Sequence, residues 1–171
     1  MKNIIVALMT AILVLTFCLD AKAEDLEEIP EDIQQICEEA GKEFSVCPTI
    51  LMSLIYTESR GIIRDNLTQI TSKKWFKEGM EFCQVDEYAT PENNIRICAY
   101  YIAKWSEEDD IYLAIDSWRY GPENAKAKYK DNPSRYSRSI VERSAEWEEE
   151  FYKKCDERDT TTALHSSHST P

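Results

Sequence analysis

An all-α domain is what this sequence predicts, and three observations predict it. From residue 30 onward, apolar residues recur at three- and four-residue spacing in almost every segment, the period of a helix with one face on a core. Prolines and hydroxyl side chains stand where such segments begin, as at Thr90-Pro91, where they satisfy or remove the unbonded amides of a first turn. Alternating apolar and polar runs, the mark of half-buried strands, are nearly absent.

The elements follow in order. "PEDIQQICEEAGKEF" opens with Pro30, carries acids in its first turn and sets Ile33, Ile36, Cys37 and Ala40 on one face. "CPTILMSLIYTESRG" enters with Pro48 and leaves with Gly61, which is predicted to end it. Its stripe runs through Cys47, Leu51 and Leu54, and the next position on that stripe is Glu58. "SKKWFKEGMEFC" is a shorter amphipathic piece. "TPENNIRICAYYIAKWSEE" takes Thr90 as N-cap and Pro91 as first residue, with Ile95, Cys98, Ile102 and Trp105 on one stripe. "DIYLAIDSWRYG" ends at Gly121, and "SRYSRSIVERSAEWEEEFYKK" is a long polar helix facing inward through Ile140, Trp147 and Phe151. The Ser/Thr-rich residues 156–171 show no apolar period and are predicted to be a disordered polar tail.

At the other end, Ile4 to Leu19 form an apolar run followed by Ala21-Lys22-Ala23. A run this short, a preceding lysine and an A-x-A site predict a signal peptide over 1–23, leaving one domain over 24–155 and no stable membrane span after cleavage. A lipoprotein reading through Cys18 is disfavoured by the bulky Phe17 beside it. The expected location is secreted or periplasmic. The chain has 20 basic and 32 acidic residues; taking away Lys2, Lys22 and Asp20 with the leader leaves 18 against 31, a net charge of −13. So acidic a surface argues against nucleic acid and anionic membranes as partners, and says little about neutral glycans. Export also leaves five cysteines. At least one disulfide is expected among Cys37, Cys47, Cys83 and Cys98, with Cys155 as the remaining thiol.

Several chemistries lack their parts. The two histidines, His165 and His168, fall in the polar tail, so a Ser-His-Asp or Cys-His machine has no base in the folded region. The four glycines form no phosphate cradle, and no C-x₂-C pair suggests zinc. No cofactor and no metal are expected. Carboxylates, amides, hydroxyls and aromatic rings remain. Glu58 then has two readings: a helix-end carboxylate neutralised by Arg60 or another cation, or an acid whose apolar surroundings hold its proton for catalysis.

Four stretches in order, "YTESRG", "RDNLTQIT", "ATPENNIRICAYYIAKW" and "AIDSWRYGPENA", resemble the motifs of the soluble lytic transglycosylase-like domain of the lysozyme superfamily. Glu58-Ser59 matches the family's Glu-Ser pair, and Leu67, Gln69 and Ile70 its Gly-Leu-Met-Gln-Ile segment. Asn94-Ile95 and Tyr101-Ile102 match the third motif; Ala114 and Gly121-Pro122 match the last. The resemblance covers about residues 33–145, and the opening helices are similar to small members associated with secretion and conjugation machinery. Asn66, Thr68, Cys98, Trp118 and Arg119 depart from the pattern; Trp118-Arg119 stand where the family has Tyr-Asn.

The resemblance implies a goose-type, lysozyme-like helical fold and peptidoglycan glycan strands as substrate, with a secretion or conjugation apparatus as a further partner. It implies Glu58 as single general acid and base, with Ser59, Gln69, Tyr101 and Trp118 at the substrate. Glu58 would protonate the oxygen between N-acetylmuramic acid and N-acetylglucosamine, then take the proton of the muramyl 6-hydroxyl as it closes a 1,6-anhydro ring. A hydrolysing muramidase of the same fold and a catalytically weak wall-binding module are the alternatives. Gln69 either binds sugar or ties down its loop; Asn94 is expected to hold its helix start. Trp75, Trp105 and Trp147 are expected in the core, and neither Asp65 nor Asp116 matches a catalytic position.

Overall fold

The computed structural model describes residues 26–60, 65–106 and 110–166. The predicted leader over 1–23 lies outside them, as does Gly61. All regular structure among the described residues is helical. A 3₁₀ turn at Leu26–Glu28 precedes α1 (Glu31–Phe44), α2 (Pro48–Ser59), α3 (Lys73–Cys83), α4 (Pro91–Trp105), α5 (Ile111–Tyr120), α6 (Pro122–Tyr129) and α7 (Arg135–Ser166).

Local chemistry explains where these helices start. Ser72 Oγ accepts from the Trp75 amide at 3.4 Å, Thr90 Oγ1 from Asn93 at 3.2 Å and Asp110 Oδ1 from Leu113 at 3.0 Å, each satisfying a first-turn donor. Pro48, Pro91 and Pro122 occupy first turns. The ends differ from expectation. Ser45, Arg60 and Gln84 close α1, α2 and α3 in the left-handed region with no glycine in that place. At α2 this moves the stop from Gly61 to Arg60, whose guanidinium lies 4.1 Å from the centre of the Tyr56 ring. Ring contact offsets part of the strain of a positive φ.

The organising element is α2. Every residue from Thr49 to Tyr56 is buried, so the expected single stripe is corrected to a helix enclosed on all sides, as fits its near-continuous apolar run. It packs against α1, α4 and α7, while α4 also contacts α1, α3 and α5. Polar pairs hold α2 to α7: Thr49 and Ser144 hydroxyls lie 2.7 Å apart, and Ser53 Oγ donates to the Ile140 carbonyl at 2.9 Å. Small side chains let the two backbones approach, and their hydroxyls are satisfied. Arg143 reaches Thr57 Oγ1 at 2.9 Å, and Tyr56 meets Trp147 edge-on at 5.6 Å.

Three further expectations change. First, α6 was not foreseen, because only Ala125 of its eight residues is buried and no apolar stripe marks it. Second, α7 runs to Ser166, through part of the tail predicted to be disordered from 156. No glycine or proline interrupts Arg135–Ser166, and extending a formed helix avoids the cost of nucleation. Third, the expected disulfide is not formed: Cys37, Cys47, Cys83 and Cys98 are all free thiols. Cys37 and Cys98 are packed as small hydrophobes in the core, and burial pushes both thiols well above their ordinary range.

Candidate functional site

A cleft of about 540 Å³ opens where the C-terminal ends of α2 and α5 meet the segment leading into α3. Glu58, Gln69, Trp75, Trp118, Arg119 and Tyr120 give it its chemistry. The last turn of α2 places Glu58 at its wall, with a side chain only 9% exposed. Tyr136, in the first turn of α7, donates its hydroxyl to Glu58 Oε1 at 2.5 Å. Arg119 approaches the same oxygen at 3.5 Å, and its guanidinium lies 5.3 Å from the Tyr136 ring centre. Both contacts fall on Oε1. Glu58 Oε2 has no protein partner among the described residues and is the oxygen available to a bound molecule.

This corrects the expectation of wholly apolar surroundings for Glu58. The neutralising cation is Arg119, from another helix, while Arg60 turns to Tyr56. Tyr136 is the residue that sequence reasoning missed. Burial, then the neighbouring Glu58 carboxylate, push its hydroxyl far above the ordinary phenol range, so it stays protonated and remains a donor. A signal existed: Tyr136 lies four residues before Ile140, on the inward side that continues to Trp147 and Phe151. A polar tip at the head of a core-facing stripe repeats the anomaly seen at Glu58.

A buried network sets the position of Tyr136. Asp116, on α5, is fully buried and accepts from the Ser134 amide at 3.0 Å, the Ser134 hydroxyl at 2.5 Å and the Ser137 hydroxyl at 3.0 Å. Its charge sits at the N-terminus of α7, where helix dipole and free amides both favour an anion. Asp116 is thereby an anchor for α7 and is turned away from the cleft chemistry.

The other expected residues divide. Gln69 and Trp118 join Glu58 on the cleft. Gln69 has φ +52°, and its Nε2 donates to the Asn66 carbonyl at 2.7 Å, so it ties down its own loop while facing the cavity. That loop is pinned from below by Asn94, whose Oδ1 accepts from both the amide and the hydroxyl of Thr68 at 2.9 Å. Ser59 is buried and donates to the Ile55 carbonyl at 3.2 Å; it does not line the cleft. Tyr101 is in the core, donating to the Trp75 carbonyl at 2.8 Å and stacked on Trp105. Trp147 is buried as expected, but Trp75 lines the cleft with Trp118 and Tyr120.

The resulting cavity offers a positioned carboxylate, amide and hydroxyl donors, and three aromatic rings. Apolar ring faces with a few convergent polar groups suit a neutral, many-hydroxyl ligand. Among the described residues no cluster of His, Cys, Asp or Glu is arranged to hold a metal, and no helix is long and apolar enough to cross a membrane. Compared with known proteins, the chain matches no family model and no curated sequence.

Proposed function

We propose that this chain is a lysozyme-like enzyme that cleaves the glycan strands of peptidoglycan as a lytic transglycosylase, exported by its leader to the periplasm or beyond and serving there alone or with a secretion or conjugation apparatus. One observation carries the reading: among the described residues lining an aromatic cleft, Glu58 is the sole acid. Glycosidases that hydrolyse through two carboxylates need a second one about 5–9.5 Å away across the bond. Asp116 is committed to α7 and Asp65 is exposed off the cleft. A single carboxylate suits a reaction in which one group gives a proton and takes one back.

In that reaction Oε2 of Glu58, carrying the proton, delivers it to the glycosidic oxygen as the bond to the anomeric carbon breaks. The carboxylate so formed accepts the proton of the muramyl 6-hydroxyl while that oxygen bonds to the anomeric carbon. No water enters. Tyr136 holds Oε1 throughout, which fixes the direction of Oε2 and stabilises the carboxylate at mid-reaction. Trp118, Trp75 and Gln69 are assigned to sugar faces and amides.

Arg119 favours a second reading. A cation beside the acid suits a weak enzyme or a wall-binding module that keeps the cleft without fast turnover. Mass analysis of purified cell wall after incubation with the protein separates these: anhydro ends support the transglycosylase, ends heavier by one water indicate a hydrolysing muramidase, and binding without cleavage indicates the module.

A further inference from the structure

Among the described residues Arg119 is the one cation lining the cleft, in a chain with 32 acidic and 20 basic residues. Its guanidinium lies 5.3 Å from the centre of the Tyr136 ring, its side chain is 51% exposed, and its single polar contact among the described residues is the long 3.5 Å approach to Glu58 Oε1. A guanidinium carries five N–H donors in a planar fork that matches a carboxylate in two parallel bonds. Here one donor is weakly used, and the rest of the fork has no protein partner among the described residues. The other cleft side chains beside Glu58, including Gln69, Thr71, Ser72, Trp75 and Trp118, are neutral.

Resting on the peptidoglycan reading above, we propose that Arg119 is a specificity-determining residue that receives a carboxylate of the bound glycan and so selects carboxylate-bearing muramyl strands over neutral glycans of N-acetylglucosamine alone. The ring of Tyr136 and the end of α5 pre-orient the guanidinium, so little side-chain freedom is lost when the pair forms. Leaving Glu58 for the ligand also exchanges one long contact for a two-bonded one. Carboxylates in the substrate come from two sources: the lactyl group, free where the peptide has been removed, and the stem peptide itself. Arg119 recognises their shared chemistry.

The test uses full-length protein carrying Glu58→Gln, so that glycans bind without being cut, with Arg119 intact or changed to Gln or Lys. Calorimetric titration compares three tetrasaccharides: peptide-free muramyl strands, the same strands with stem peptides, and the neutral N-acetylglucosamine tetramer. With Arg119 intact, at least one muramyl form should bind roughly ten- to a hundredfold more tightly than the neutral tetramer, the range expected of a charge-assisted pair. The arm that gains identifies the carboxylate. Arg119→Gln should abolish the preference with little change for the neutral tetramer, and Arg119→Lys should restore part of it, as a merely structural role would not. If the preference survives Arg119→Gln, or never exists, the inference is overturned while wall cleavage by unmodified protein still upholds the enzymatic reading. If no glycan binds and that protein releases no anhydro product, the enzymatic reading falls with it.

Discussion

The residues that matter most are the ones whose polarity contradicts their place in the pattern. Glu58 stands at the end of a helix whose preceding turns are buried all round, and Tyr136 stands at the head of a core-facing stripe. Each is tolerable in its position because the other is present: the hydroxyl donates, the carboxylate accepts, and a half-buried polar pair is satisfied. Tyr136→Phe keeps the ring for Arg119 but removes the donor from Oε1. On the proposed mechanism, turnover should fall about ten- to a hundredfold, the worth of a hydrogen bond to a charged group, with the glycan affinity largely kept. Steady-state kinetics of wall cleavage, compared with binding of a neutral tetramer, check this. A variant with wild-type turnover would show that Oε1 needs no donor.

Among the elements, the join between α5 and the start of α7 decides whether the site exists, since Asp116 holds the turn from which Tyr136 projects. Asp116→Ala leaves the Ser134 amide and two hydroxyls without their acceptor in the interior, at a cost of about 3 kcal/mol or more. Urea unfolding should register that loss, and Tyr136 should lose its fixed contact with Glu58; Asp116→Asn, which keeps one acceptor, should fall between. Helices such as α1 and α4 were legible in sequence because apolar period, caps and prolines agreed. The short α6 was not, for want of any apolar face, and α7 was read short because its last turns are polar while nothing breaks them. Glu58, Gln69 and Trp118 were readable from local motifs. Tyr136 and the pairing of Arg119 were not, because they depend on two chain segments meeting 78 and 61 residues away from Glu58.

At the scale of the whole molecule, ion pairs on either side of α4 tie it to its neighbours. Arg96 grips Glu43 of α1 through two bonds at 2.6 and 2.8 Å, and Lys104 pairs with Glu78 of α3. The hydrogen bond from Arg96 lowers the Glu43 carboxyl below its ordinary value, and that from Lys104 does the same to Glu78. Groups depressed on folding contribute stability that is present above the unfolded carboxylate range, about 4.3, and lost as pH falls through the folded values. Melting temperatures of wild type and the Glu43→Gln/Glu78→Gln double variant should therefore differ near neutrality and converge in acid once pH has fallen through the lowered folded values; a gap independent of pH would assign these side chains a packing role. The proposed chemistry is that one carboxylate, Glu58, both gives and takes the proton that cleaves a glycan. The direct measurement is anhydro-muropeptide release from purified wall by wild type and Glu58→Gln, with the melting temperature of each recorded alongside. Anhydro ends are expected from the wild type, and a rate lower by roughly 10²–10⁴-fold from the variant, the usual share of general acid–base catalysis, with the fold intact. Release at the wild-type rate by Glu58→Gln would contradict that chemistry.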